Sequence, residues 1–269
     1  MTLAHLQRFA DQMLHSPLAG EGPGERGRGC SPRLLLLLVL LFFLLGGCAS
    51  APPAPPATGE SLGTPAAEGQ LYWWYSRFRL AWPEGQPAPW GTDPLLADRV
   101  IRPILETEHD QITLWRFHRR AARDAAGRQF SFIYRATPAT ARRVQARIDA
   151  DQQVTRLLRQ GTLLQVSHDD PARPQRPGIG DTSDPAWTPQ MQRAWPYFIL
   201  GASQLWLELI RELDATPGLP RGTDARYAAI DRELETLWRE QGGHALLHHL
   251  SAVFGYRELL VTSRGLLKF

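Results

Sequence analysis

The residues best suited to chemistry gather in one polar segment, positions 168–184, directly after a predicted strand at 163–167. Its imidazole and carboxylate groups are His168, Asp169, Asp170, Asp181 and Asp184. Such groups bind divalent cations and also act as general acids and bases, so they are candidates for the catalytic centre of a metal-assisted hydrolase. The alternative is structural: aspartates in such a loop cap neighbouring elements and form local turns.

A second candidate is the pair His244 and His248, which stand four positions apart on a predicted helix. That spacing places both imidazoles on one helix face, as zinc-binding pairs require. However, Ala245 stands where the metalloprotease motif places its glutamate, and the sequence suggests no third ligand. We therefore favour an ordinary helix surface and expect neither a metal nor another cofactor.

Basic residues follow one another at the end of a predicted strand, where His118, Arg119 and Arg120 form a patch. Guanidinium groups suit phosphate or an anionic lipid head group. The alternative is a solvated face with ordinary ion pairs, for which Asp124 offers a partner. The net charge of the whole chain is only +3, so we do not expect a nucleic-acid partner.

Nine tryptophans are many for 269 residues and suggest ring stacking on a sugar or a peptide. We expect exposure for Trp73, which alternates with Trp74 along a strand, and for Trp90, which lies in a loop rich in proline and glycine. The tryptophans expected in the core, because they fall on apolar faces, are Trp82, Trp195, Trp206 and Trp238.

The elements that must position these groups follow from periodicity and helix-start signals. Alternation predicts strands at 71–82, 112–120, 129–136, 163–167 and 258–263. Asp93-Pro94 and Thr137-Pro138 read as helix starts, and the second helix is predicted to continue to Gly161. Within 187–214, Pro196 is the predicted start of a long core helix, and further helices are predicted in 224–241 and up to residue 254. The order predicts an α+β fold, a mainly antiparallel sheet with helices packed on one face, ferredoxin-like in part.

The N-terminal region contains an apolar run at residues 34–45, preceded by Arg26, Arg28 and Arg33. Charged residues, a short apolar run and then small residues are the layout of an export signal. A membrane-spanning helix needs about 20 apolar residues, which is more than this run offers. We therefore expect export and not a permanent transmembrane helix.

The residues that end this run, Leu45-Gly46-Gly47-Cys48, resemble the lipobox of bacterial lipoprotein signal peptides. The resemblance implies a diacylglyceryl thioether on Cys48, cleavage of the peptide bond before it, and acylation of the new amine by a fatty acid such as palmitate. Several acyl chains anchor a protein firmly where one chain holds it only marginally. Ala49 and Ser50 lack the aspartate that retains enteric lipoproteins at the inner membrane, which implies the outer membrane, facing the periplasm.

The chain thus divides into a leader with a signal peptide (1–47), a lipidated N-terminus with an Ala/Pro-rich tether (48–69) and one globular domain (70–269). The only other cysteine, Cys30, lies in the leader, so the mature domain has no thiol chemistry. A nucleophile elbow and a glycine-rich phosphate loop are both absent from the sequence. We expect an envelope lipoprotein with a non-catalytic binding or assembly domain, whose partners are the membrane and another envelope protein. The alternatives are a metal-assisted hydrolase or ligand-binding enzyme that uses the 168–184 loop, and a glycan-binding module.

Overall fold

Four strands form one antiparallel sheet, in the order β2-β3-β1-β4, in a computed structural model that describes residues 69–257. The strands are β1 (Tyr72–Leu80), β2 (Leu114–Ala121), β3 (Arg128–Ala136) and β4 (Leu163–His168). The central strand β1 pairs with β3 along its whole length, from Tyr72 opposite Ala136 to Leu80 opposite Arg128. The two edge strands are therefore β2 and β4.

Helices connect these strands and then continue beyond them. The first helical segment, α1, runs as an α-helix (Thr92–Leu95), a π-helix (Leu96–Ile101) and a second α-helix (Arg102–Thr107). The others are α2 (Pro138–Asp149), α3 (Gln152–Arg159), α4 (Pro189–Asp214), α5 (Thr223–Gly242), a π-helical turn (Gly243–His248) and α6 (His249–Val253). The β-α-β-β-α-β order up to β4 is the ferredoxin-like one, and the predicted α+β fold is confirmed.

The core lies between the sheet and its helices. Because side chains alternate along a strand, Trp74 and Phe78 of β1 point to the same side as Phe130 and Phe132 of β3. All four are buried, and each such side chain stabilises the fold by roughly 1.5–3 kcal/mol. Thus the alternation read from the sequence of β1 assigns its inward face correctly.

The opposite face of the sheet carries a second, smaller cluster made by Trp73, Leu114 and Ile133. The loop at residues 169–188 covers it, and the Trp73 indole Nε1 donates to the carbonyl oxygen of Ile179 at 3.0 Å. Trp73 is only 1% exposed, so the prediction that it is exposed is wrong. The loop that buries Trp73 lies far along the chain, and nothing in the sequence of β1 indicates that this loop covers the strand.

Helix boundaries differ from the prediction where a capping side chain decides them. Thr137 caps α2, as predicted, by accepting from the backbone N–H of Thr140. The helix stops at Asp149 instead of continuing, because the Asp151 carboxylate accepts from the N–H of Gln153 at 2.7 Å and starts α3. The prediction that Asp93 caps α1 is wrong, because the N-cap residue of this helix is Gly91.

The long helix α4 begins earlier than the predicted start at Pro196, which lies inside it. Thr188 caps it by accepting from the N–H of Met191 at 3.3 Å. The expectation of a core helix holds only for its second half, where Leu207 and Ile210 are buried, since Tyr197 and other large side chains of its first half are exposed.

Several predicted features lie outside the described residues. They are the apolar run 34–45, Cys48, the tether up to residue 68 and the final strand 258–263. Within residues 69–257, no helix is both long enough and apolar enough to span a membrane.

One ion pair at the end of α1 predicts a pH effect on stability. Hydrogen bonds from Arg143, at 2.6 Å between Nη2 and Oε2, lower the pKa of the buried Glu108 carboxyl. A carboxyl with a lowered folded-state pKa stabilises the fold above its unfolded pKa and loses this contribution as the pH falls. We therefore expect the stability advantage of the wild type over Glu108→Gln to shrink between pH 6 and pH 3. Urea unfolding of both proteins measures it, and a constant difference would contradict it.

Candidate functional site

A pocket of about 500 Å³ opens on the helix side of the sheet, where the loop before α1 meets β2, α4 and α5. Aromatic and charged side chains dominate its lining, which consists of Trp90, Arg119, Trp206, Asp231, Leu234, Glu235 and Trp238. Asp231, Leu234, Glu235 and Trp238 are spaced as neighbours on one face of α5. That face therefore forms one wall of the pocket.

The loop that carries Trp90 approaches α5 closely because of a glycine. A Cβ at Gly91 would stand 2.8 Å from the Cα of Ala228, which is too short for any side chain. Gly91 therefore lets the loop pack directly on the helix backbone and brings the indole of Trp90 to the pocket.

The Arg119 guanidinium lines the pocket and lies close to two indole rings. Its Cζ is 4.8 Å from the ring centroid of Trp90 and 5.2 Å from that of Trp206. Its Nε donates to Asp93 at 2.7 Å and its Nη2 to Asp231 at 2.9 Å. Two cation–π contacts and two charge-assisted hydrogen bonds fix this side chain in one position.

Beneath Arg119 lies a buried charge network. The Asp93 carboxylate is fully buried and also accepts from the Nη2 of Arg128 at 2.6 Å. Burial raises the pKa of the Asp93 carboxyl, and the charges of Arg119 and Arg128 oppose that shift. Burial also lowers the pKa of Arg119, but the nearby Asp93 and Asp231 outweigh this effect and raise it. One carboxylate thus holds two guanidiniums in place.

Two of the residues singled out from the sequence, Trp90 and Arg119, meet in this pocket. Trp206 is half-buried at its wall, whereas Trp238 is 61% exposed, so the prediction that Trp238 belongs to the core is wrong. Leu234, one turn earlier, is the last large side chain of α5 that is buried. The sequence analysis did not single out Asp231. Its spacing from Trp238 places the two side chains on one face of α5, and this was the available signal.

The sequence-predicted polar loop has a different arrangement. Asp169 accepts from Arg77 at 2.9 Å, from Arg176 at 2.7 Å and from the backbone N–H of Tyr75 at 3.1 Å. It therefore ties the loop to β1, and with Asp170 it borders a smaller cavity of about 220 Å³.

The remaining carboxylates of this loop accept local backbone hydrogen bonds. Asp170 accepts from the N–H of Ala172, Asp181 from that of Gly178 and Asp184 from that of Ala186, at 2.7–2.9 Å. His168 instead faces the core side of the sheet, with Nδ1 2.8 Å from the Ser76 hydroxyl and Nε2 3.1 Å from Asp149. These contacts are those of the structural alternative, in which the aspartates of the segment form local turns and hold neighbouring elements.

The other histidines lie elsewhere. His244 and His248 are stacked at 5.2 Å between ring centroids, with His249 beside them on an exposed helical turn. His118 lies on β2 and His168 on β4, the opposite edge strand. Across residues 69–257, no group of three or more histidine, cysteine, aspartate or glutamate side chains is placed to hold a metal ion.

Comparison of the chain with protein-family models, with curated proteins and with solved structures found no match. The chemistry of the pocket itself therefore has to indicate its ligand.

Two features of the pocket restrict that ligand. The rings of Trp90 and Trp206, which would suit a ligand cation, already contact the guanidinium of Arg119. The indole of Trp238, in contrast, presents an exposed surface, and its inner side lies so close to Gly242 that a Cβ there would be 3.0 Å from Cε3. A ligand in the pocket would thus contact the flat apolar ring of Trp238 and the hydrogen-bonding groups of Arg119 and Asp231.

Proposed function

We propose that the protein is a membrane-anchored envelope lipoprotein whose domain binds a carbohydrate without catalysis in the tryptophan-lined pocket. The observation that carries this proposal is the exposed ring of Trp238 beside the fixed Arg119 and two carboxylates, Asp231 and Glu235. Indole faces stack on the apolar C–H face of a sugar ring, and charged groups hydrogen-bond its hydroxyls. The lipobox at Cys48 supports anchoring in the outer membrane, facing the periplasm.

The polar groups of the pocket favour binding over hydrolysis. Asp231 accepts from Arg119 at 2.9 Å, and Glu235 accepts from Arg239 at 2.7 Å. Glycoside hydrolysis needs one carboxyl that donates a proton and a second that attacks or activates water. Carboxylates already held by guanidiniums suit hydrogen-bond acceptance from hydroxyls instead. Among the described residues lining the pocket, none is a serine, cysteine, threonine, histidine or lysine that could act as nucleophile or base.

The pocket predicts that Trp238→Ala weakens saccharide binding by about tenfold, because stacking on an indole contributes roughly 0.5–1.5 kcal/mol beyond the buried area. Soluble peptidoglycan fragments and lipopolysaccharide oligosaccharides would be titrated into the full chain, held in micelles of a polyoxyethylene detergent that carries no sugar. Tryptophan fluorescence and calorimetry both report binding.

The matched control is Trp187→Ala, a change to another partly exposed indole that packs on Trp195 and not on the pocket. We expect wild-type affinity for this variant. The proposal fails if none of these saccharides binds, or if both variants weaken binding equally.

A further inference from the structure

The side of the sheet opposite the tryptophan-lined pocket carries a row of polar side chains across all four strands. His118 of β2 lies opposite Ser131 of β3, which lies opposite Arg77 of β1, which lies opposite Ser167 of β4. Two positions further along each strand, a parallel row is formed by Arg120, Gln129, Arg79 and Gln165. We call these two rows the open face, because the loop at 169–188 covers the other half of this side.

The strand alternation divides the basic patch that the sequence suggested. His118 and Arg120 lie on the open face, while Arg119 between them points to the helices and enters the tryptophan-lined pocket. Arg116 lies on the same side as His118, at the border of the covered half, with its Cζ 4.9 Å from the ring centroid of Trp195. Arg119 therefore belongs to the tryptophan-lined pocket, whereas His118 and Arg120 belong to the open face.

The open face has more positive than negative charge. Arg77 pairs with Asp169, and Arg120 pairs with Asp124. Within residues 69–257, no carboxylate lies within ion-pair distance of Arg79 or Arg116, and Arg79 is exposed. Desolvation lowers the pKa of His118, and the charges of Arg116 and Arg120 lower it further. The charges around His118, at the β2 end of the row, thus favour an anion.

We infer that the open face binds a phosphate group carried by a small molecule or a lipid head group. Guanidiniums bind phosphate oxygens in a forked geometry. The glutamine side chains and the Ser167 hydroxyl of the same rows can hydrogen-bond hydroxyl or ester oxygens, whereas Ser131 is buried beneath them. Four strands span about 14 Å, and the two rows are about 7 Å apart along the strands. This area fits one head group better than an extended polyanion. The site is independent of the carbohydrate pocket, which lies on the other side of the sheet.

The test follows the His118 imidazole by proton NMR in the full chain, held in uncharged detergent micelles. Loss of one signal in His118→Gln identifies it among the eight histidines. Inorganic phosphate is titrated against chloride at equal ionic strength. We expect phosphate to raise the pKa of His118 by about one unit, because a nearby anion favours the charged imidazolium. Equal shifts with phosphate and chloride would overturn the inference.

A pair of arginine variants tests the location. Arg79→Gln removes an exposed guanidinium of the open face, and we expect it to weaken phosphate binding about tenfold, the value of one charge-assisted hydrogen bond. Arg142→Gln is the matched control, since Arg142 is exposed on α2, and it should bind as the wild type does. Indistinguishable variants would overturn the assignment to this face.

The source of the phosphate is separated by co-sedimentation of the mature chain, residues 48–269 with Cys48→Ser, with phosphatidylcholine vesicles that contain or lack phosphatidic acid. Sedimentation that needs both phosphatidic acid and Arg79 supports the site and identifies a lipid head group. Binding of inorganic phosphate without such sedimentation supports the site and identifies a soluble phosphate ester.

Discussion

Asp93→Asn should lower the free energy of unfolding by about 3–5 kcal/mol, because it leaves two guanidiniums beside a neutral side chain in the interior. Arg128 is the more severely affected of the two, since its side chain is 1% exposed and Asp93 is its only ion-pair partner among residues 69–257. Arg119 keeps a second carboxylate, Asp231. Urea unfolding of the full chain in micelles, followed by tryptophan fluorescence, measures this loss.

The control for that prediction is Asp224→Asn, which also removes one carboxylate from a pair with arginine. The Asp224–Arg156 pair lies at the surface, with 59% of the Asp224 side chain exposed, and exposed pairs contribute less than about 1 kcal/mol. If Asp93→Asn destabilises the protein no more than Asp224→Asn does, the buried network does not hold Arg119 in place. The pocket would then lack its fixed guanidinium.

The same network shows where sequence reasoning could have gone further. Arg128 belongs to the inward row of β3, in which Phe130, Phe132 and Tyr134 follow at every second position. A charged residue on such a row requires a buried partner of opposite charge. The pattern therefore contained a signal for a buried carboxylate, but it could not say that the partner is Asp93, 35 positions earlier in the chain.

Local signals predicted the fold well, because each strand and several helices depend on neighbours in sequence. The alternation of β1 and the threonine cap of α2 are examples of such signals. The pocket is different, since it joins residues from the loop before α1, β2, α4 and α5. The spacing of Trp238 on α5 suggested burial, yet Leu234 is the last large side chain of this helix that is buried. Periodicity identifies the apolar face of a helix, but it does not show how far along the helix other elements pack against that face.

Lipid anchoring depends on Cys48, which lies outside the described part of the chain. Cys48→Ser should abolish incorporation of labelled palmitate and leave the leader uncleaved, because the resemblance implies that cleavage follows attachment of the diacylglyceryl group. Each buried methylene of an acyl chain contributes roughly 0.8 kcal/mol to membrane binding. Losing the acylated sulfur, and with it the acylation of the new N-terminus, therefore removes the lipid anchor, while the apolar run at residues 34–45 stays attached to the chain. A serine hydroxyl has nearly the shape of the thiol but cannot form the thioether.

The chain offers a matched control in its other cysteine, Cys30, which precedes the apolar run. Cys30→Ser should sediment with membranes and incorporate palmitate as the wild type does, because the lipobox remains intact. Retention of saccharide binding by Cys48→Ser would show that the domain is still folded, which separates loss of the anchor from loss of structure. Palmitate labelling that persists in Cys48→Ser would contradict lipidation at this cysteine, while leaving the tryptophan-lined pocket and the open face to be judged by their own experiments.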